Sequence, residues 1–131
     1  MQWQNAPDIK RLATKIIKTR IFPHVKSNDL VFMRGFGSSS LAIARIWSLP
    51  KPWQLALHIK PRYIIEVLAE HFDKLPDTEK EKTLIHELMH IPKTFSGALV
   101  SHRNRGTHIN RKNVEKMYEK YKSAYSLKLK A

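Results

Sequence analysis

His86-Glu87-Leu88-Met89-His90 sets two histidines four residues apart, and on a helix that spacing puts both on one face, about 6 Å apart along the axis. Two imidazole nitrogens so placed can reach one Zn²⁺ at roughly 2.0–2.1 Å. Glu87, roughly 100° around the helix from His86, falls at the edge of that face. From there its carboxylate can take the proton of a metal-activated water as the water attacks a carbonyl, without joining the ligands. The pentapeptide predicts a zinc-dependent hydrolytic site with His86 and His90 as ligands and Glu87 as general base.

The flanking residues support a helix. Asp77-Thr78-Glu79-Lys80-Glu81 reads as a helix start, with Thr78 and Glu81 in capping-box spacing. Pro92 biases Ile91 away from helical backbone, so the helix is expected over residues 78–91. Leu84, Ile85, Leu88, Met89 and Ile91 cover one broad arc of its wheel. His86 and His90 project from the other side, toward a cleft rather than the core.

Outward from this helix the pattern is helix, sheet, helix, loop, helix, an α+β arrangement. Ile9, Leu12, Ala13, Ile16 and Ile17 recur at helical spacing after Pro7. Residues 30–34 read as a short strand, residues 35–40 as a hairpin loop, and residues 41–47 as a buried strand. Pro50, Pro52 and Pro61 forbid one long element over residues 49–61, leaving room for a brief helical turn at 53–57. Residues 63–68 are β-branched and aromatic enough for a third strand. A long loop over residues 93–109 follows the central helix. The final helix starts at Asn110 as N-cap, with Ile109 and Val114 spaced for a hydrophobic staple. Its apolar stripe is Val114, Met117, Tyr118, Tyr121 and Tyr125, and residues 126–131 are expected to fray.

Composition bounds the function. At 131 residues the chain can bury a core as a single domain over residues 1–131. No cysteine is present, which excludes a thiolate metal site, a cysteine nucleophile and a disulfide framework, and fits a cytoplasmic protein. No apolar run approaches the ~18–20 residues of a membrane span. Residues 1–5 lack a charged region followed by an apolar stretch, so no secretion signal is expected. Twenty-four Lys and Arg against eleven Asp and Glu leave a net charge of +13. Such a surface attracts polyanions, and Lys112, Lys116 and Lys120, in one row at i, i+4, i+8, are the candidate contacts for a nucleic acid bound without sequence preference.

A catalytic zinc takes three protein ligands and keeps one position open. With cysteine absent, a histidine or carboxylate must be the third, and His102 and His108 both lie in the long loop. Spacing alone does not separate them. His24, His58 and His71 read as ordinary surface or packing histidines.

Ala44-Arg45-Ile46-Trp47-Ser48-Leu49-Pro50, Tyr63-Ile64-Ile65-Glu66-Val67, the run from Thr83 through His86-Glu87-Leu88-Met89-His90-Ile91-Pro92, then Phe95-Ser96-Gly97 and His102, together resemble the zincin-like metallopeptidases of archaea, bacteria and phages. The resemblance extends from the first helix to the loop histidine. It implies a minimal zincin fold, a small sheet of about three strands packed on helices that include the metal-binding one. It also implies one zinc ion, and a third ligand shortly after the Phe-Ser-Gly segment, which falls on His102 with His108 as the alternative.

The expected activity is hydrolysis of a peptide or protein substrate by a zinc-activated water. Residues 63–68 are expected to act as an edge strand pairing with the substrate, and Tyr63 and Arg103 are candidates to stabilise the oxyanion. The competing reading is a basic nucleic-acid-associated module, either a protease acting on nucleic-acid-bound protein or a non-enzymatic binder whose zinc site is structural or lost.

Overall fold

In a computed structural model, which describes residues 1–103, 106 and 108–130, helix α1 (Pro7–Ile17) begins with Pro7 in its first turn, where a missing N–H costs nothing. Ile9, Ala13, Ile16 and Ile17 are its buried face. The chain forms four strands: β1 (Gln2–Asn5), β2 (Leu30–Phe36), β3 (Ala44–Trp47) and β4 (Tyr63–Leu68). The remaining helices are α2 (Lys51–Leu57), α3 (Ala69–Phe72), α4 (Asp77–Met89) and α5 (Arg111–Lys130). No helix among the described residues is long and apolar enough to cross a membrane.

The sheet has four strands in the order β1-β2-β4-β3, with β2 and β4 parallel and both outer pairs antiparallel. Three expectations change here. Residues 35–40 do not close a hairpin, because β4 lies between β2 and β3. The strand over residues 63–68 is central rather than an edge; five of its six residues are buried, and so apolar a strand is best shielded by neighbours on both sides. The free edge beside α4 belongs to β3, which is partly exposed rather than buried and shorter than the 41–47 run. β1, the fourth strand, is the polar stretch Gln2-Trp3-Gln4-Asn5, which has no alternation to announce it.

Helices α1 and α4 pack on the sheet face that carries Phe32, Ile65 and Val67, and α5 lies against α4 through Val114, Tyr118 and Tyr121. α4 starts at Asp77, with Pro76 as its cap and the Pro76 carbonyl accepting from the amides of Glu79 and Lys80. Thr78 is therefore inside the helix, and the capping box expected at Thr78 and Glu81 does not form. The Asn110 cap does form: its Oδ1 accepts from the Asn113 amide at 2.9 Å, with Ile109 and Val114 both buried beside it. α5 continues to Lys130 instead of fraying from residue 126, while Ala131 lies outside the described residues.

The other sheet face is organised by Glu66, which is fully buried. Its carboxylate accepts from Arg45 Nε at 2.8 Å, Trp47 Nε1 at 2.8 Å and Trp3 Nε1 at 3.1 Å, tying both edge strands to β4. Gly35 leaves the room: a Cβ there would collide with the Glu66 carboxylate. Burial pushes the Glu66 pKa up, but the donors from Arg45, Trp47 and Trp3 and the Arg45 charge outweigh it, and the net direction is down. A carboxylate with a lowered folded-state pKa contributes stability at neutral pH that is lost as the pH falls through that value. Glu66→Gln should therefore cost roughly 2 kcal/mol at pH 7, since one amide cannot accept from three donors. The gap to the parent should narrow toward pH 3, as followed by urea midpoints. A constant gap across that range would remove the carboxylate's charge from the account.

Candidate metal centre

α4 carries His86 in its last turn and ends at Met89, short of the expected residue 91, with His90 as its C-cap one turn on from His86 and their ring centroids 5.2 Å apart. Leu84, Ile85 and Leu88 anchor the opposite side of the helix in the core, which fixes the direction the histidines face. At the helix end Pro92 stops the ladder, and the chain doubles back over the histidines.

That return is held at several points. Phe95 and Gly97 adopt positive φ (47° and 94°), turning the chain sharply. The buried Tyr63 hydroxyl donates to the Ala98 carbonyl at 2.7 Å and accepts from the Gly97 amide at 2.8 Å. Gln54 Nε2, also buried, donates to the carbonyls of Leu49 and Ser96 at 2.8 and 2.9 Å. Val100 then locks onto His90 twice: its amide donates to the His90 carbonyl at 2.8 Å, and its carbonyl accepts from His90 Nδ1 at 2.6 Å. A carbonyl can only accept, so Nδ1 bears the proton and Nε2 keeps a free lone pair.

Two residues on, His102 faces His86, their Nε2 atoms 3.1 Å apart. One nitrogen from each of His86, His90 and His102 lies within 4.8 Å of the others. Nitrogens at tetrahedral Zn–N distances stand about 3.3 Å apart, so the three imidazoles have the chemistry and spacing to hold a metal ion. Burial, then the charges of His90 and His102, push the His86 pKa down to about 4. Burial also lowers that of His90, against the opposing bond to Val100. Both shifts favour neutral imidazole, the ligating form. Glu87 is buried next to the pair, and burial raises its pKa to about 7. A cleft of about 470 Å³ opens on these groups, walled by Ala44, Arg45 and Ile46 of β3 and by the 99–102 segment.

His108 is exposed, stands apart from the three, and gives its carbonyl to Asn113 Nδ2 at 2.7 Å. Arg103 is exposed and does not line the cleft. Tyr63 lies beneath the loop with its hydroxyl fully engaged, so its place is in the scaffold of the third histidine. Lys112, Lys116 and Lys120 are exposed along one row of α5. His24 Nε2 bonds the Ile91 carbonyl at 3.0 Å and His71 Nε2 the Ser40 carbonyl at 3.2 Å, both packing roles. Sequence reasoning missed Gln54 and Val100. Gln54 is one polar residue in a proline-flanked stretch, and Val100 works through its backbone, so neither leaves a pattern.

The Tyr63 clamp makes a prediction. Tyr63→Phe keeps the ring but strands the Gly97 amide, so the loop should loosen and metal affinity fall roughly ten- to hundred-fold. Competition against a chromogenic chelator reads this directly, and an unchanged affinity would show that the Gln54 and Val100 contacts hold the loop without the Tyr63 hydroxyl.

A family model described as "Putative phage metallopeptidase" matches residues 1–125. No curated protein and no solved structure matches the chain.

Proposed function

We propose, because the chain belongs to the putative phage metallopeptidase family, that it hydrolyses peptide bonds using one Zn²⁺ held by His86, His90 and His102, with Glu87 as general base. The observation that carries this reading is the convergence of the three imidazoles with the buried Glu87 in one cleft. A zinc ion bound there would supply Lewis acidity, polarising the scissile carbonyl and making water easier to deprotonate. Glu87 takes the proton from the attacking water and passes it to the leaving amine. The Val100 carbonyl holds His90 in the tautomer that leaves Nε2 free.

The substrate lies along β3. That strand is the free edge next to α4, and an extended peptide can add to it through main-chain hydrogen bonds. Antiparallel addition makes the stronger ladder. The family match gives nucleic-acid binding no support. Lys112, Lys116 and Lys120 are on this reading a solvated row that keeps the protein cationic.

The test is cleavage of casein by metal-stripped and zinc-reconstituted protein. Stripping should abolish cleavage and one equivalent of zinc should restore it. Cleavage that persists in protein stripped of metal would overturn the reading.

A further inference from the structure

We propose that the trough running between α1 and α5 and on to residues 20–28 binds a single strand of nucleic acid through its phosphates, without sequence preference. His86, Glu87, His90 and His102 line neither of its cavities, so the site does not depend on the peptidase reading.

Two cavities, of about 730 and 930 Å³, make the trough. Lys10, Arg11, Lys15, Lys18 and Lys128 line the first. Lys18 and Lys128 also line the second, which joins the two, and Arg20 and Lys26 add to it. Seven exposed cations thus share one recess, and no Asp or Glu is among the residues that line it. The acids nearest in sequence are committed elsewhere, Asp8 to Arg34 at 2.9 Å and Asp29 to Lys60 at 2.7 Å. Among the described residues none of the seven cations forms an ion pair. Like charges held in a recess repel one another and focus their field outward, and a polyanion relieves that repulsion. The Lys112, Lys116 and Lys120 row is different, because Glu115 and Glu119 interrupt it along α5 and dilute its field.

The arrangement of the cations favours a nucleic-acid strand over other polyanions. Arg11, Lys15 and Lys18 fall at i, i+4 and i+7 along α1 and its cap, one cation per turn at a pitch of roughly 4.5–6 Å. A phosphodiester backbone also carries its charge at a regular pitch, and an acidic protein surface does not. The walls hold apolar surface too. Partly buried Tyr125 has Lys15 Nζ 4.5 Å from its ring centroid, and Leu129, 69% exposed, lines the same cavity. Unstacked bases can lay their faces on such a wall, whereas an acidic peptide brings only carboxylates and a duplex keeps its base faces inside. A bilayer presents its phosphates in a plane and cannot follow a recess between helices. Arg20 fits the same account. It follows α1 with φ at 65°, the left-handed conformation that glycine or asparagine ordinarily supplies after a helix. Arginine costs more there than glycine would, and it puts a cation on the trough wall.

Fluorescence anisotropy of a labelled, mixed-sequence DNA strand of roughly 20 nucleotides, titrated with the zinc-loaded protein, tests this. Affinity should fall on the order of 10²-fold between about 50 and 200 mM salt. Combining Arg11→Gln, Lys15→Gln and Lys18→Gln should weaken binding roughly ten-fold or more, and lower the slope of log affinity against log salt by about two. Combining Lys112→Gln, Lys116→Gln and Lys120→Gln removes the same charge and should weaken binding less than about three-fold. Arg20→Gly separates charge from folding, since binding should fall about two- to four-fold while Tm holds or rises. Equal losses in the two triple variants would overturn the trough and leave only net charge at work. No binding at low salt, or tighter binding to the duplex of the same sequence, would overturn it as well. Displacement of the strand by polyglutamate at an equal concentration of charge would make the occupant an acidic protein instead. Pelleting with phosphatidylserine vesicles is the last arm. Vesicle capture that the Arg11, Lys15 and Lys18 substitutions abolish, with the strand unbound, would make this surface a membrane contact and end the proposal. Peptide cleavage enters none of these readouts, so the trough and the peptidase reading can fail separately.

Discussion

Glu87→Gln is expected to lower kcat by roughly 10³-fold while zinc stays bound, a loss on the order of 4 kcal/mol of barrier lowering. The substitution keeps the size and shape of a side chain that is only 7% exposed, and it takes away only the capacity to accept a proton. His86, His90 and His102 are untouched, so metal content by elemental analysis should match the parent. A second readout separates lost catalysis from lost structure. Burial already holds the Glu87 carboxyl well above its ordinary pKa, so a neutral amide should sit there at no cost, and Tm should be unchanged or higher. Activity within ten-fold of the parent would take the role of base away from Glu87. A fall in activity accompanied by loss of zinc would make it a structural support of the site instead.

How much of this was legible beforehand depends on whether a feature lives in local periodicity. The His86–His90 face, the apolar back formed by Leu84, Ile85 and Leu88, and the Asn110 cap are all set by residues within a turn or two of one another, and each is visible in a single stretch of chain. The α+β class followed from the same local patterns. Strand order did not. The separation of β2 from β3 by β4 is a long-range choice, made because the most apolar strand gains most from a central place. β1 was invisible because its backbone pairing with β2 and the reach of Trp3 to Glu66 hold it, not an apolar face. The expected cap at Thr78 failed for a local reason, since Pro76 already turns the chain and its carbonyl takes the first amides. At the site, the helix pair was readable and its support was not. Gln54 and Tyr63 reach the 96–98 turn from elsewhere in the chain, and only the folded chain brings them together.

The proposed third ligand illustrates the difference most sharply, because spacing left His102 and His108 level. His102→Ala should weaken zinc binding on the order of 10²–10³-fold, about one ligand's share of a typical protein zinc affinity, and His108→Ala should change it less than two-fold. The asymmetry comes from the double lock of Val100 on His90, which leaves only Ser101 between the anchored residue and His102 and brings His102 Nε2 to 3.1 Å from His86 Nε2. His108 lies beyond that lock, exposed, with its carbonyl tied to the start of α5. His102→Asp is the informative companion, since a carboxylate can ligate zinc and should recover part of the affinity that alanine loses. If the His108 variant lost more zinc than the His102 variant, the loop would have to rearrange on metal binding. The Val100 bonds to His90 would then be the contacts that break, which the amide exchange rate of Val100 with and without zinc would reveal.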